Sequence, residues 1–173
     1  MPLPDYLQPG LNLVFVGFNP GLKSDQLGHY YAGPGNQFWR FLYESGLTPR
    51  LLSPKDDASL PGFGIGLTDL VKRASRGSND LSTSEFRSGL PILEQKLCQV
   101  QPRVVAFNGK SGYAAAIGRR CDYGQQSETL AGRPLYLCPS TSGALPMKRE
   151  EKLKFYILLK NLLDDLRTGS GAR

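Results

Sequence analysis

Histidine occurs once in this chain, at His29, and cysteine three times, at Cys98, Cys121 and Cys138. One histidine cannot build a multi-histidine metal site, and a Ser-His-Asp triad would depend on that residue alone. The cysteines are odd in number, widely spaced and contain no C-x-x-C pair. They therefore form neither a disulfide framework nor a zinc ribbon, and read as reduced, mostly buried thiols. Also missing is any run of about 18 apolar residues, the length a membrane helix requires. Met1-Pro2-Leu3-Pro4-Asp5 lacks the basic start and apolar centre of a signal peptide. These absences lead us to expect no metal, no cofactor and no membrane partner, in a protein that stays in the compartment where it is made.

What is present is enough for one compact domain. The chain has 173 residues, of which 40% are hydrophobic and 21% charged, a composition that excludes a disordered chain, a collagen and a coiled coil. Lys and Arg number 21 against 15 Asp and Glu, for a formal net charge of +6. The sequence pI is about 9.3. An excess of positive charge raises the local concentration of phosphates, so a polyanionic partner is one reading. A solvated surface excess is the other.

The order of elements is legible from apolar runs and turn residues. Residues 11 to 18 form a short apolar run ending at a glycine-rich turn, which suits a strand buried on both faces. Asn36 is placed to cap a helix through Phe38, Trp39, Phe41 and Leu42 that Gly46 stops. Residues 47 to 62 carry few periodic apolar positions and lead into the extended Gly64-Ile65-Gly66-Leu67-Thr68-Asp69. Ser82 and Glu85 form a capping box for a helix toward Val100, with a kink expected at Pro91. Arg103 to Phe107 read as a second buried strand, followed by a helix containing Tyr113. Leu135 to Cys138 read as the last strand, and Glu151 to Leu166 as an amphipathic helix. Strands alternating with helices predict a single three-layer α/β domain over 1–167, with a mostly parallel central sheet flanked by helices and a flexible tail at 168–173.

In such sheets ligands sit at the carboxyl ends of the strands. Three loops qualify: Asn19 to Gly35, Asn108 to Ser111, and Pro139 to Lys148. Gly109-Lys110-Ser111 ends like a nucleotide phosphate loop, but that motif needs a glycine five residues before Gly109, where Val104 stands. Asn108, Gly109 and Lys110 still form a strand-to-helix turn, which reads as a phosphate contact or as a simple tight turn. Gly17 and Gly21 flank a rigid Asn19-Pro20 step and let the backbone approach a ligand. Gly28-His29-Tyr30-Tyr31 within a glycine-proline frame composes a slot for a flat ring, or aromatic packing over a core.

The string Val16-Gly17-Phe18-Asn19-Pro20-Gly21, Gly28-His29-Tyr30-Tyr31 and Gly33-Pro34-Gly35-Asn36-Gln37-Phe38-Trp39 resembles the mismatch-specific uracil and thymine DNA glycosylases of the uracil-DNA glycosylase superfamily. Gly64 to Thr68, Asp80-Leu81-Ser82, Gln101-Pro102-Arg103, Phe107-Asn108-Gly109-Lys110 and Pro139-Ser140-Thr141-Ser142 extend the resemblance, collinear from about residue 9 to residue 167. It implies a monofunctional enzyme that hydrolyses the N-glycosidic bond of a flipped-out uracil, with thymine or other modified pyrimidines as further candidates, in G·U or G·T mispairs. The implied partner is double-stranded DNA and the implied state a monomer, in the bacterial cytoplasm with the nucleoid or in a eukaryotic nucleus. Asn19 falls on the family's catalytic asparagine, which positions the attacking water. Tyr31 falls on its base-stacking aromatic, Phe18 and Gly21 on backbone lining the pyrimidine pocket, and Ser24 near the group that crowds the pyrimidine 5-position. Asp69 ends the Gly-Ile-Gly-Leu-Thr segment and reads as a second base or as a structural cap.

Ser142, Gly143, Ala144, Leu145 and Pro146 fall where the family inserts a wedge into the duplex. Ala144 is smaller than its counterparts, so the wedge here would be Leu145 or Pro146, and Lys23 also departs from the family pattern. Lys110, Lys148 and Arg149 are candidate phosphate contacts. The competing reading from another class is a non-catalytic damaged-DNA-binding module with the same basic face and aromatic slot.

Overall fold

The computed structural model describes residues 2–171, and side chains to residue 169. Five strands form one sheet in the order β2-β1-β3-β5-β4. They are β1 (Leu13–Gly17), β2 (Ile65–Asp69), β3 (Val104–Asn108), β4 (Gly124–Leu130) and β5 (Arg133–Cys138). β1 pairs in parallel with both β2 and β3, and β3 in parallel with β5. The first three are five residues long and buried throughout, as expected of strands covered on both faces.

Successive side chains alternate between two cores. Leu13, Phe15, Leu67, Ala106 and Tyr136 face α2 (Phe38–Glu44) and α5 (Arg149–Gly171), where they meet Phe38, Phe41, Tyr156 and Leu159. Val14, Val16, Val105, Phe107 and Leu137 face α3 (Thr83–Val100) and α4 (Ser111–Ile117), against Phe86, Leu93, Leu97 and Tyr113. The fold is thus a single α/β domain of three layers, with a mostly parallel sheet, as the alternation of elements predicts.

Several details differ from expectation. Residues 22–27 form a short helix, α1 (Leu22–Leu27), inside what composition marks as a loop. Pro54–Phe63 is a 3-10 helix opened by a Ser53–Asp56 capping box. β4 is an edge strand that pairs antiparallel with β5. Its sequence, Gly-Gln-Gln-Ser-Glu-Thr-Leu, is polar because only one face is covered. Ala131 and Gly132, both at positive φ, form its tight turn into β5. α5 extends to Gly171, into the segment composition marks as a frayed tail, and the Thr168 hydroxyl donates to the Asp164 and Asp165 carbonyls. Residues 172 and 173 lie outside the described residues.

Candidate active site

Because β1, β2, β3 and β5 run in parallel, Gly17, Asp69, Asn108 and Cys138 all end at one edge of the sheet. The three loops singled out above therefore converge there. Asn19 is half-exposed at that edge. Its amide nitrogen donates to the Arg73 carbonyl oxygen at 2.7 Å and to the Ser75 hydroxyl at 2.8 Å. Both amide hydrogens are engaged, and among the described residues Oδ1 receives no donor. The carboxamide is held in one orientation with its acceptor free.

Arg73 and Ser75 carry no signal in the sequence. They act because the chain after β2 runs alongside the Asn19 loop: the Leu70 and Val71 amides donate to the Gly17 and Phe18 carbonyls, and Gly21 bridges to Ser75. The Ser75 hydroxyl donates in turn to the Gly77 carbonyl. Gly21 itself is exposed. The Phe18 ring points the other way, into the α3/α4 core. A Cβ on Gly109 or Gly112 would collide with it, so those glycines make room for Phe18.

Beneath the loop, Asp69 and Tyr31 converge on Gly17. A Cβ at Gly17 would stand 2.5 Å from Asp69 Oδ1 and 3.0 Å from the Tyr31 hydroxyl oxygen. Asp69 is 6% exposed, and among the described residues its Oδ2 has no hydrogen-bond partner. Burial, with a smaller contribution from the negative charge of Asp5, pushes its carboxyl up to about 7. The Tyr31 hydroxyl is also buried and unpartnered; it lies beside the Asn108 carboxamide without making a well-formed hydrogen bond. Burial and the nearby Asp69 raise its pKa. The Tyr31 ring lies 4.0 Å from that of Phe38 at 31°, and its backbone occupies the left-handed region at φ +52°. A bulky residue in that region is uncommon and recurs at functional sites. Ser24 is buried, and its hydroxyl accepts the Ala32 N–H at 2.9 Å. It shapes the site by fixing the backbone after Tyr31. His29 pairs with buried Asp57 at 3.2 Å, which also accepts the Tyr30 N–H, so the one histidine is a structural partner.

The phosphate assignments change. Asn108 is buried, and its side chain is engaged at both ends by Thr141, which it meets at Nδ2 and Oδ1. The Thr141 hydroxyl continues the chain to Asn36 Oδ1 at 2.7 Å. Asn108 is therefore a clasp between β3 and the loop after β5, not a phosphate contact. The Gly109 amide donates to the Cys138 carbonyl and is likewise unavailable. Arg149 is paired with Glu44 and lies over the Phe41 ring, so a phosphate would have to compete with that carboxylate for it. Lys110 lies over Tyr123 at 4.4 Å, and Lys148 is exposed with no ion pair among the described residues. These two keep the role open to them.

In the third loop Gly143, Ala144 and Pro146 are exposed, and Leu145 is half-buried. The Ser142 hydroxyl accepts the Ala144 amide, and the Ser142 carbonyl accepts the Lys152 ammonium at 3.1 Å. Lys152 is 5% exposed, and burial lowers its pKa. Sequence reasoning misses it because it falls within the amphipathic pattern of α5.

The architecture that holds these groups is that of a uracil DNA glycosylase. The chain is similar to a solution NMR structure of a uracil DNA glycosylase candidate from Methanosarcina acetivorans, with a TM-score of 0.57 at 20% identity over 94% of this chain and 97% of that one. The family model of the uracil DNA glycosylase superfamily matches residues 4–167, and the chain belongs to that superfamily. By class it is a DNA repair glycosylase, a hydrolase that acts on uracil in DNA.

Proposed function

We propose that this protein is a monofunctional glycosylase that hydrolyses the N-glycosidic bond of uracil mispaired with guanine in duplex DNA, with thymine as a poorer substrate. The observation that carries the reading is the Asn19 carboxamide, tied at its nitrogen by Arg73 and Ser75 and open at its oxygen. The bond is unreachable inside the stack, so the nucleotide must be extruded into the site before cleavage. Tyr31, backed by Phe38, supplies the surface on which the base stacks. Leu145 or Pro146 fills the gap in the duplex, as apolar wedges do elsewhere. Lys110 and Lys148 contact phosphates, and the protein acts as a monomer.

An amide oxygen accepts a hydrogen bond from water but cannot take its proton at neutral pH. Asn19 therefore orients the water. A positioned general base typically supplies 10² to 10⁴ in rate, so catalysis by orientation alone forgoes roughly 3 to 5 kcal/mol. Asp69, buried and held near neutrality, is suited to recover part of that as the group that receives the proton or stabilises the cationic sugar. Slow turnover follows, with uracil, the better leaving group, cut faster than thymine.

The test is a duplex with a single U·G pair, incubated with the protein and then treated with alkali. Strand breakage that disappears in Asn19→Ala is the expected result. Binding without breakage would establish the non-catalytic module instead. Comparing U·G, U·A and T·G duplexes under single-turnover conditions tests the mispair preference.

A further inference from the structure

The N-terminal segment is tied down at every residue from Leu3 to Tyr6. Leu3 is buried in the core, the Pro4 carbonyl accepts the Tyr30 hydroxyl at 2.9 Å, and Tyr6 exchanges two backbone hydrogen bonds with Leu67 on the free edge of β2. This strap sets Asp5 against the residue before Asp69: the Thr68 hydroxyl donates to Asp5 Oδ1 at 2.6 Å. Asp5 Oδ1 also pairs with Lys72, and Oδ2 pairs with Lys96 of α3 at 2.6 Å. Lys72 donates in addition to the Leu3 carbonyl.

Both lysines line a cavity of about 350 Å³ between the end of β2 and α3, and Asp69 lines the same cavity. The charged and titratable groups facing Asp69 are Asp5 on the strap, Lys72 beyond β2, Lys96 on α3, and the phenols of Tyr30 and Tyr31. Glu85 also borders the cavity but is held by Arg73 and by the Ser82 amide. Asp5 is thus the carboxylate that occupies two ammonium groups lining the same cavity as Asp69.

We propose that Asp5 is a positioning residue for base excision: it keeps Lys72 and Lys96 off Asp69, so that the Asp69 carboxyl stays unpaired and available to the water that Asn19 orients. This rests on the reading that Asp69 serves the reaction. Removing the Asp5 charge leaves two free cations beside Asp69, which favours the carboxylate and moves its titration to lower pH.

The experiment is the single-turnover rate of uracil excision from a U·G duplex, measured from pH 5 to 9. With the Asp69 carboxyl titrating near 7, wild type at pH 6 should run at about one tenth of its pH 8 rate. Asp5→Asn should raise that ratio to about one half or more, and Asp5→Glu, which keeps the charge, should leave it near the wild-type value. An unmoved acid limb in folded Asp5→Asn overturns the proposal, as does an equal shift in Asp5→Glu. Asp69→Asn separates the two levels of the argument. If its acid limb matches wild type, the Asp69 reading falls and takes this proposal with it. If the limb vanishes there yet stays unmoved in Asp5→Asn, only the role of Asp5 falls. Should Asp5→Asn melt below the assay temperature, Lys96→Met leaves the strap charge in place and should move the limb to higher pH; no movement overturns the proposal.

Discussion

In the proposed reaction Asn19 works through what fixes it. Truncation to alanine would remove the acceptor assigned to aiming the water, and loss of such orientation typically costs about 10²-fold in rate. We expect Asn19→Ala to lose at least that much in single-turnover excision with its melting temperature little changed. Ser75→Ala removes one of two tethers, and a net hydrogen bond of about 1 kcal/mol corresponds to a drop of roughly five-fold. Asp69 makes a separate prediction about stability. Its carboxyl rises from 3.8 to about 7 on folding, so the native state binds the proton more tightly than the unfolded chain. The sign is then that stability is greatest with Asp69 protonated, and declines as pH rises from about 4 to about 7. A shift of that size amounts to on the order of 4 kcal/mol as an upper bound. Asp69→Asn should flatten that decline in urea titrations and be more stable than wild type at pH 8.

Elements matter because the site is assembled from loops that must be locked together. The Asn36–Thr141–Asn108 chain joins the loop before α2, the loop after β5 and the end of β3. Thr141→Val leaves two buried or half-buried amide side chains short of a partner, at a cost of about 1 to 3 kcal/mol. Urea denaturation should show that loss, together with slower excision. Asn36 also illustrates how local signals survive into structure: its side chain accepts the Phe38 amide, the capping bond expected of it, although the formal cap is Gln37. β4 was illegible for the opposite reason. A polar edge strand earns its place by pairing with β5, and pairing leaves no mark in the strand's own composition.

At the scale of the whole molecule, the net charge of +6 bears on how DNA is approached. Binding that relies on phosphate contacts weakens with salt, and each contact adds about 0.9 to the slope of log affinity against log salt concentration. Lys148→Gln should reduce that slope by about one. Arg149→Gln should leave it unchanged, because that guanidinium is already neutralised by Glu44. A reduced slope in Arg149→Gln would show that the pair opens on DNA.

The amino-acid sequence by itself determined the alternation of strands and helices, the three loops that meet at one edge of the sheet, and the position of Asn19 in the first of them, because buried strands and glycine-framed turns are written in local composition. Only the tertiary structure decided which side chains near that edge are free to act. Asn108 and Arg149 look available in the chain and are occupied in the fold, while Arg73, Ser75, Lys152 and Asp5 look ordinary and hold the site. Availability is a matter of partners, and most of those partners lie 33 to 105 residues away, where only the folded chain brings them together.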